Sequence, residues 1–127
     1  AVLGRHPGAE SLHALAEEAL EAAIAAIKPG VTAGAVDAAA RTVIERSGRP
    51  QVFRHRTGYQ TGINWSERGN LSLEPDAADV LEADMTLHMP IILFQEGEYG
   101  LGCSEQVVVT ERGAEILSRT PHTLYRA

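Results

Sequence analysis

The chain has 127 residues, enough for one domain, and a globule of that size buries roughly two-thirds of the surface of its unfolded chain. Apolar residues make up 44% and charged residues 22%, a balance that disfavours disorder, collagen and coiled coil. The net charge of −6 argues against a nucleic-acid backbone or an anionic membrane as the main partner, so small molecules and proteins remain.

The first third of the chain predicts two amphipathic helices. From Ala9 onward, apolar residues recur at spacings of three and four, and the sequence KPG at 28–30 supplies a cation, a breaker and a cap for the helix end. Thr32 is suited to cap a second helix, with Val31 before it as part of a hydrophobic staple. Gly48 is expected to end that helix.

The rest of the chain predicts strands. Residues 50–55 have an extended bias, residues 85–94 form an apolar strand candidate, and a valine-rich strand starts at Ser104 and closes at the turn 112–113. Residues 70–84 between them are polar and irregular. Helices followed by strands predict an α+β domain, in which helices cover one face of a curved, mainly antiparallel sheet.

Four histidines differ in what their surroundings predict. His13 and His122 are expected on the surface. His88 alternates with apolar residues in a predicted strand, and this periodicity alone favours an inner-face histidine with satisfied hydrogen bonds. His55 stands where an extended segment meets two glycines, which let a backbone turn tightly or approach a ligand. The residues alone leave its role open.

Two further side chains have alternative interpretations. Glu105 opens the valine-rich strand, where a carboxylate is either an exposed strand end or a group held in a pocket for acid–base work, and the residues leave both open. Cys103 is the single cysteine, so neither an intrachain disulfide nor a thiolate zinc cage is possible. We expect a structural thiol there and a cytoplasmic protein.

Common catalytic motifs are absent from the sequence: the metalloprotease H-E-x-x-H, the P-loop, the dinucleotide-binding turn and the nucleophile elbow. No run approaches the roughly 20 apolar residues that a membrane helix requires. The chain also begins without methionine, so we expect a piece of a longer protein.

Three stretches carry a resemblance to a known family: HRTGYQTGINW at 55–65, LSLEPDAADVLEADMTLHM at 71–89 and GLGCSEQVVVTERGAEILSRTP at 100–121. In order and spacing they resemble the C-terminal half of the pita-bread-fold hydrolases of peptidase family M24, which include creatinase, Xaa-Pro peptidases and methionine aminopeptidases. The resemblance implies that residues 1–127 are the C-terminal portion of a catalytic domain whose upstream half is absent from the chain. It also implies a homodimer.

The resemblance does not extend to the metal ligands of that family. In its metal-dependent branch two aspartates, a histidine and two glutamates hold two metal ions. The aspartates would lie before Ala1, and the other three positions fall on Tyr59, Pro90 and Ser104. Proline cannot ligate through its side chain, and tyrosine and serine are poor substitutes on a divalent ion. We therefore expect no metal and no cofactor.

The stretches RTGYQTG, SLEPD, VLEADMTLHM and SEQVVVTE are most similar to the ectoine hydrolase branch, which resembles creatinase in hydrolysing a C–N bond without metal. The resemblance implies six site residues: catalytic Glu105, His88 and His55, and substrate-binding Tyr59, Trp65 and Ser104. Glu105 would be the base or hold a cationic amidine, and either histidine would shuttle the proton. Tyr59 would donate to the intermediate, and Trp65 would close the pocket.

Three functions are consistent with this resemblance. The first is a metal-independent amide or amidine hydrolase of the creatinase and ectoine hydrolase type. The second is an Xaa-Pro dipeptidase or aminopeptidase whose metal site is completed upstream. The third is a non-catalytic pita-bread domain that binds or dimerises. In each case the 127-residue piece is expected to be inactive alone.

Overall fold

The computed structural model of the chain describes residues 1–62 and 69–127, which form α-helices packed on one face of a sheet. The helices are α1, Pro7–Ala26, and α2, Ala33–Arg46, and the strands are β1, Gly58–Thr61, β2, Ser72–Leu73, β3, Thr86–Gln95, β4, Tyr99–Thr110, and β5, Gly113–Ile116. Their order in the sheet is β2-β1-β3-β4-β5, and all neighbours are antiparallel. The predicted α+β architecture is confirmed.

The start of α1 differs from the prediction. The helix begins at Pro7, whose fixed φ suits a first turn, and His6 caps it by accepting a 3.0 Å hydrogen bond from the amide of Ala9. It ends at Ala26, because Ile27 is already extended. The sequence KPG at 28–30 therefore begins two residues after the last helical residue, where its proline prevents the helix from continuing.

The start of α2 agrees with the sequence. Thr32 is extended, and its hydroxyl accepts a 3.2 Å hydrogen bond from the amide of Ala35, as an N-cap does. The helix ends at Arg46, and Gly48 follows with a φ of 75°, a conformation that favours glycine. In the described part of the chain, no helix has the length and apolar composition needed to cross a bilayer.

One contiguous core lies between the helices and the sheet. Alternate residues of β3 face the helices and are 0% exposed: Leu87, Met89, Ile91 and Leu93. Burying each such side chain stabilises the fold by about 1.5–3 kcal/mol. Alanines on α1, among them Ala16 and Ala19, are also 0% exposed, and their small size brings the helix backbone close to its neighbours. The core therefore fixes which face of each strand is covered.

Several strand boundaries also differ from the prediction. Residues 50–55 are not extended throughout, because Pro50–Val52 form a 3₁₀ turn. The fixed φ of proline suits the start of such a turn. The strand expected from Ser104 is the long β4, which begins at Tyr99 because a hairpin through Gly97 pairs it with β3 along its length. β1 and β2 were not predicted, since glycine-rich and polar residues conceal them.

Candidate active site

The sheet has one face away from α1 and α2, which we call the open face. In the register of β3 and β4, His88 lies opposite Gln106 and Pro90 lies opposite Ser104. Directly opposed residues share a face, and successive residues alternate between faces. Because Met89 points into the core, these four residues point to the open face.

Tyr59 and His88 form the polar centre of the open face. They lie opposite each other in β1 and β3, and the phenol oxygen is 2.9 Å from Nδ1 of His88. Which group donates depends on the histidine tautomer. Both side chains are half-buried, and the Arg56 guanidinium lies 5.0 Å from the centroid of the Tyr59 ring. The inner-face position that periodicity favoured for His88 is wrong. The residues on either side of it, Leu87 and Met89, point into the core, so His88 points to the open face.

A second polar group lies beside this pair and was missed in the sequence. Gln106, opposite His88, donates through Nε2 to the hydroxyl of Thr61 at 2.8 Å. The Thr61 hydroxyl lies 3.1 Å from that of Thr86, which donates to the Thr61 backbone carbonyl at 2.9 Å. Strand alternation places Thr86 and Gln106 on the same face as His88. The alternation could be read from the sequence, but the register that pairs Gln106 with His88 could not.

The three positions that the resemblance assigns to metal ligands converge on the open face. Tyr59 is paired with His88, and Pro90, two residues further along β3, is paired with Ser104. Same-face neighbours along a strand are about 7 Å apart, so these side chains border one small area.

The chemistry of these side chains does not fit a two-metal centre. A phenol, a proline ring and a serine hydroxyl stand where carboxylates and an imidazole would be needed. Elsewhere in residues 1–62 and 69–127, no group of three or more His, Cys, Asp or Glu side chains could hold a metal ion.

A shallow groove of about 510 Å³ runs along the open face from His88 to Phe94, and Gly100 and Gly102 form part of its floor. His55 lies at the far end, where its ring centroid is 5.4 Å from that of Phe94. Phe94 is six positions along β3 from His88, a distance of about 20 Å. The structure therefore does not bring the two predicted catalytic histidines together. Trp65, predicted to close the pocket, lies outside the described residues.

Glu105 points to the other side of the sheet. It is opposite Met89 in the register, and it is 4% exposed. Its Oε1 lies 2.7 Å from Nε2 of His122 and accepts a 3.3 Å hydrogen bond from the Ser118 hydroxyl. Glu105 and His88 therefore do not face a common pocket. The predicted surface position of His122 is wrong, because the C-terminal segment folds back on β4. That segment has no periodic pattern from which the contact could have been predicted.

Cys103 is half-buried on the same face as Glu105. The pKa of its thiol is raised from 9.0 to about 11, chiefly by burial and in smaller part by the negative charges of Glu17, Glu105 and Glu21. A thiol with this pKa is protonated at neutral pH and is a poor nucleophile. The geometry agrees with the structural thiol expected from the sequence.

The two helices on one face of an antiparallel five-stranded sheet form the C-terminal portion of a pita-bread domain, as in the solved structures that superpose on this chain. Residues 1–111 match metallopeptidase family M24, and the chain belongs to this family. The solved structure of dipeptidase PepE from Mycobacterium ulcerans superposes with a TM-score of 0.91 at 31% identity, over 99% of this chain and 33% of that one. X-Pro aminopeptidase from Thermotoga maritima MSB8 has a TM-score of 0.91 at 25% identity, over 100% and 36%. The predicted pita-bread resemblance is confirmed.

A similar protein of known sequence carries a different description. Agropine synthesis cyclase of Rhizobium rhizogenes is 41% identical over 112 residues, which are 88% of this chain and 27% of the cyclase. The chain thus spans about a quarter to a third of the proteins it matches.

Proposed function

We propose that the intact protein hydrolyses a C–N bond, an amide or an amidine, in a small molecule and does so without a divalent metal. The observation that carries this proposal is the convergence of Tyr59, Pro90 and Ser104 beside His88 on the open face. At the three ligand positions implied by the resemblance, the side chains of Tyr59 and Ser104 can exchange protons and that of Pro90 can only pack. The residue beside them, His88, carries an imidazole. Such a set is suited to general acid–base catalysis rather than to metal binding.

Hydrolysis of an amide or amidine needs a base for water, an acid for the leaving nitrogen and hydrogen-bond donors for the developing charge. In the tautomer with its proton on Nδ1, His88 donates to the phenol oxygen of Tyr59, and Nε2 is the basic nitrogen. In this proposal Nε2 accepts a proton from the attacking water and then donates it to the leaving nitrogen. Tyr59 then donates its own proton toward the developing charge, and Ser104 contacts the substrate.

Glu105 receives no role at the reacting carbon in this proposal, because its side chain lies on the covered face with His122. His55 is a second proton carrier only for a substrate long enough to reach Phe94 along the groove. A reaction other than peptide cleavage is supported by one relative, whose name is agropine synthesis cyclase.

A second candidate is favoured by the likeness to PepE and to X-Pro aminopeptidase: an Xaa-Pro dipeptidase of the same fold. That function would require metal ligands from outside the described residues.

The experiment uses the intact protein and combines metal analysis with turnover of ectoine, creatine and an Xaa-Pro dipeptide, with and without a chelator. We expect turnover of a non-peptide substrate, unaffected by the chelator. Tyr59→Phe should lower kcat at least about 100-fold, and Tyr125→Phe, on an exposed tyrosine, serves as the control. Two bound metal ions and chelator-sensitive dipeptide cleavage would establish the second candidate instead. Binding without turnover would indicate a non-catalytic domain.

A further inference from the structure

A buried hydrogen-bond network joins α2 to the segment that precedes β1. Asp37 of α2 is 1% exposed, and its Oδ1 accepts hydrogen bonds from the hydroxyl and the amide of Thr57 at 2.7 and 3.3 Å. Its Oδ2 accepts from Nε of Arg41, and Nη2 of Arg41 donates to the backbone carbonyl of His55 at 2.8 Å. Both oxygens of a buried carboxylate are therefore bonded, and its charge is paired.

This network ends two residues before Tyr59. Thr57 is 0% exposed, and its amide also donates to the Leu73 carbonyl in β2 at 2.8 Å. At the next residue, Gly58, a Cβ would come within 2.6 Å of the His88 carbonyl oxygen, so β1 and β3 approach closely there. The backbone that carries Tyr59 is thus fixed by α2, by β2 and by β3.

We propose that Asp37 is a positioning residue that acts through Thr57 and Arg41 to hold the Tyr59 hydroxyl on Nδ1 of His88. Only the carboxylate of this ion pair is fully buried, and the Arg41 side chain is partly exposed. Such a pair contributes little net stability compared with well-packed apolar residues, but losing one partner disturbs the arrangement that the pair fixes. The geometric part of this inference stands on its own. Its consequence for turnover rests on the function proposed above.

Thr57→Val in the intact protein tests the network without adding bulk, because valine has nearly the shape of threonine and lacks the hydroxyl. We expect the side-chain ¹⁵N signal of His88, assigned with His88→Gln, to shift as the bond to Tyr59 lengthens. We expect kcat to fall by about 10- to 100-fold with a smaller change in KM, as misplaced catalytic groups cause. Thr57→Ser, which keeps the hydroxyl, should restore both.

Two further variants separate positioning from stability. Ile44→Val removes one methyl group from the buried face of α2, where Ile44 is 1% exposed, and leaves the network intact. It should lower Tm without moving the His88 signal. If Thr57 acts through Tyr59, then Thr57→Val combined with Tyr59→Phe should be no slower than Tyr59→Phe alone.

The outcomes are distinct. If Thr57→Val lowers Tm as Ile44→Val does and the His88 signal stays in place, the network only stabilises the fold and the inference is wrong. A shifted His88 signal in a protein that turns over none of the substrates would refute the proposed function and support the positioning role. Should Thr57→Val not fold, Arg41→Gln removes the bond to the His55 carbonyl from a partly exposed side chain, and the same signal decides.

Discussion

Glu105→Gln in the intact protein tests whether this carboxylate holds the C-terminal segment or acts on substrate. The substitution keeps the size of the side chain and one acceptor oxygen, and it removes the negative charge 2.7 Å from Nε2 of His122. The Glu105 side chain is 3% exposed, so solvent screens the interaction little. A hydrogen bond to a charged group stabilises a protein by about 1.5–3 kcal/mol.

Two features reduce that figure. Glutamine retains an oxygen that can accept from His122 and from Ser118. The other carboxylate oxygen of Glu105 is buried and has no hydrogen-bond partner among the described residues, so removing its charge offsets part of the loss. We therefore expect Glu105→Gln to lower the free energy of unfolding by about 1–2 kcal/mol, which is roughly 2–8 °C in Tm for a domain of this size or larger.

Calorimetry gives Tm, and turnover is followed on the substrate identified for the intact protein. We expect kcat within about twofold of the unmodified enzyme, since the carboxylate lies across the sheet from His88. Glu115→Gln, the same charge change at an exposed position of β5, is the matched control. A fall in kcat of about 100-fold with unchanged Tm would refute this reasoning, because a loss of that size is typical of an acid–base group.

Three other predictions concern stability and local geometry. Because the pKa of Cys103 is raised from 9.0 to about 11, its neutral thiol favours the folded state below pH 9, and this contribution is lost as the pH rises toward 11. The free energy of unfolding in urea should therefore decline between pH 9 and 11. Cys103→Ala should make this decline smaller. Leu20→Ala, at a residue 0% exposed, should cost about 2–5 kcal/mol in urea unfolding, whereas Ile116→Ala, at 45% exposure, should cost far less; equal losses would contradict the described core. Gly58→Ala should lower Tm and shift the NMR signals of His88, because the added methyl group meets the His88 carbonyl; unchanged spectra would mean that β1 lies further from β3 than described.

The helices and the apolar strand β3 could be predicted from the sequence because their signals are local. The three-to-four spacing of apolar residues, the hydroxyl of Thr32 and the glycine at 48 each act within a few residues. The apolar strand predicted at 85–94, which the structure has at 86–95, was found for the same reason. The family resemblance also rests on short stretches whose residues and spacings can be read directly. The three positions that it assigns to metal ligands, Tyr59, Pro90 and Ser104, lie on one face of the sheet.

Only the tertiary structure decided which candidate side chains share a site. Glu105 and Ser104 are adjacent in sequence, yet the core holds one under the helices and leaves the other on the open face, because successive residues of a strand point in opposite directions. His122 reaches Glu105 across 17 residues, and Thr57 reaches Asp37 across 20. Neither His122 nor Thr57 lies in a helix or a strand, so no periodic pattern fixes their positions. Such contacts depend on strand register and on the folding back of the chain. Both are settled by how the whole core packs, which is why local sequence patterns did not reveal them.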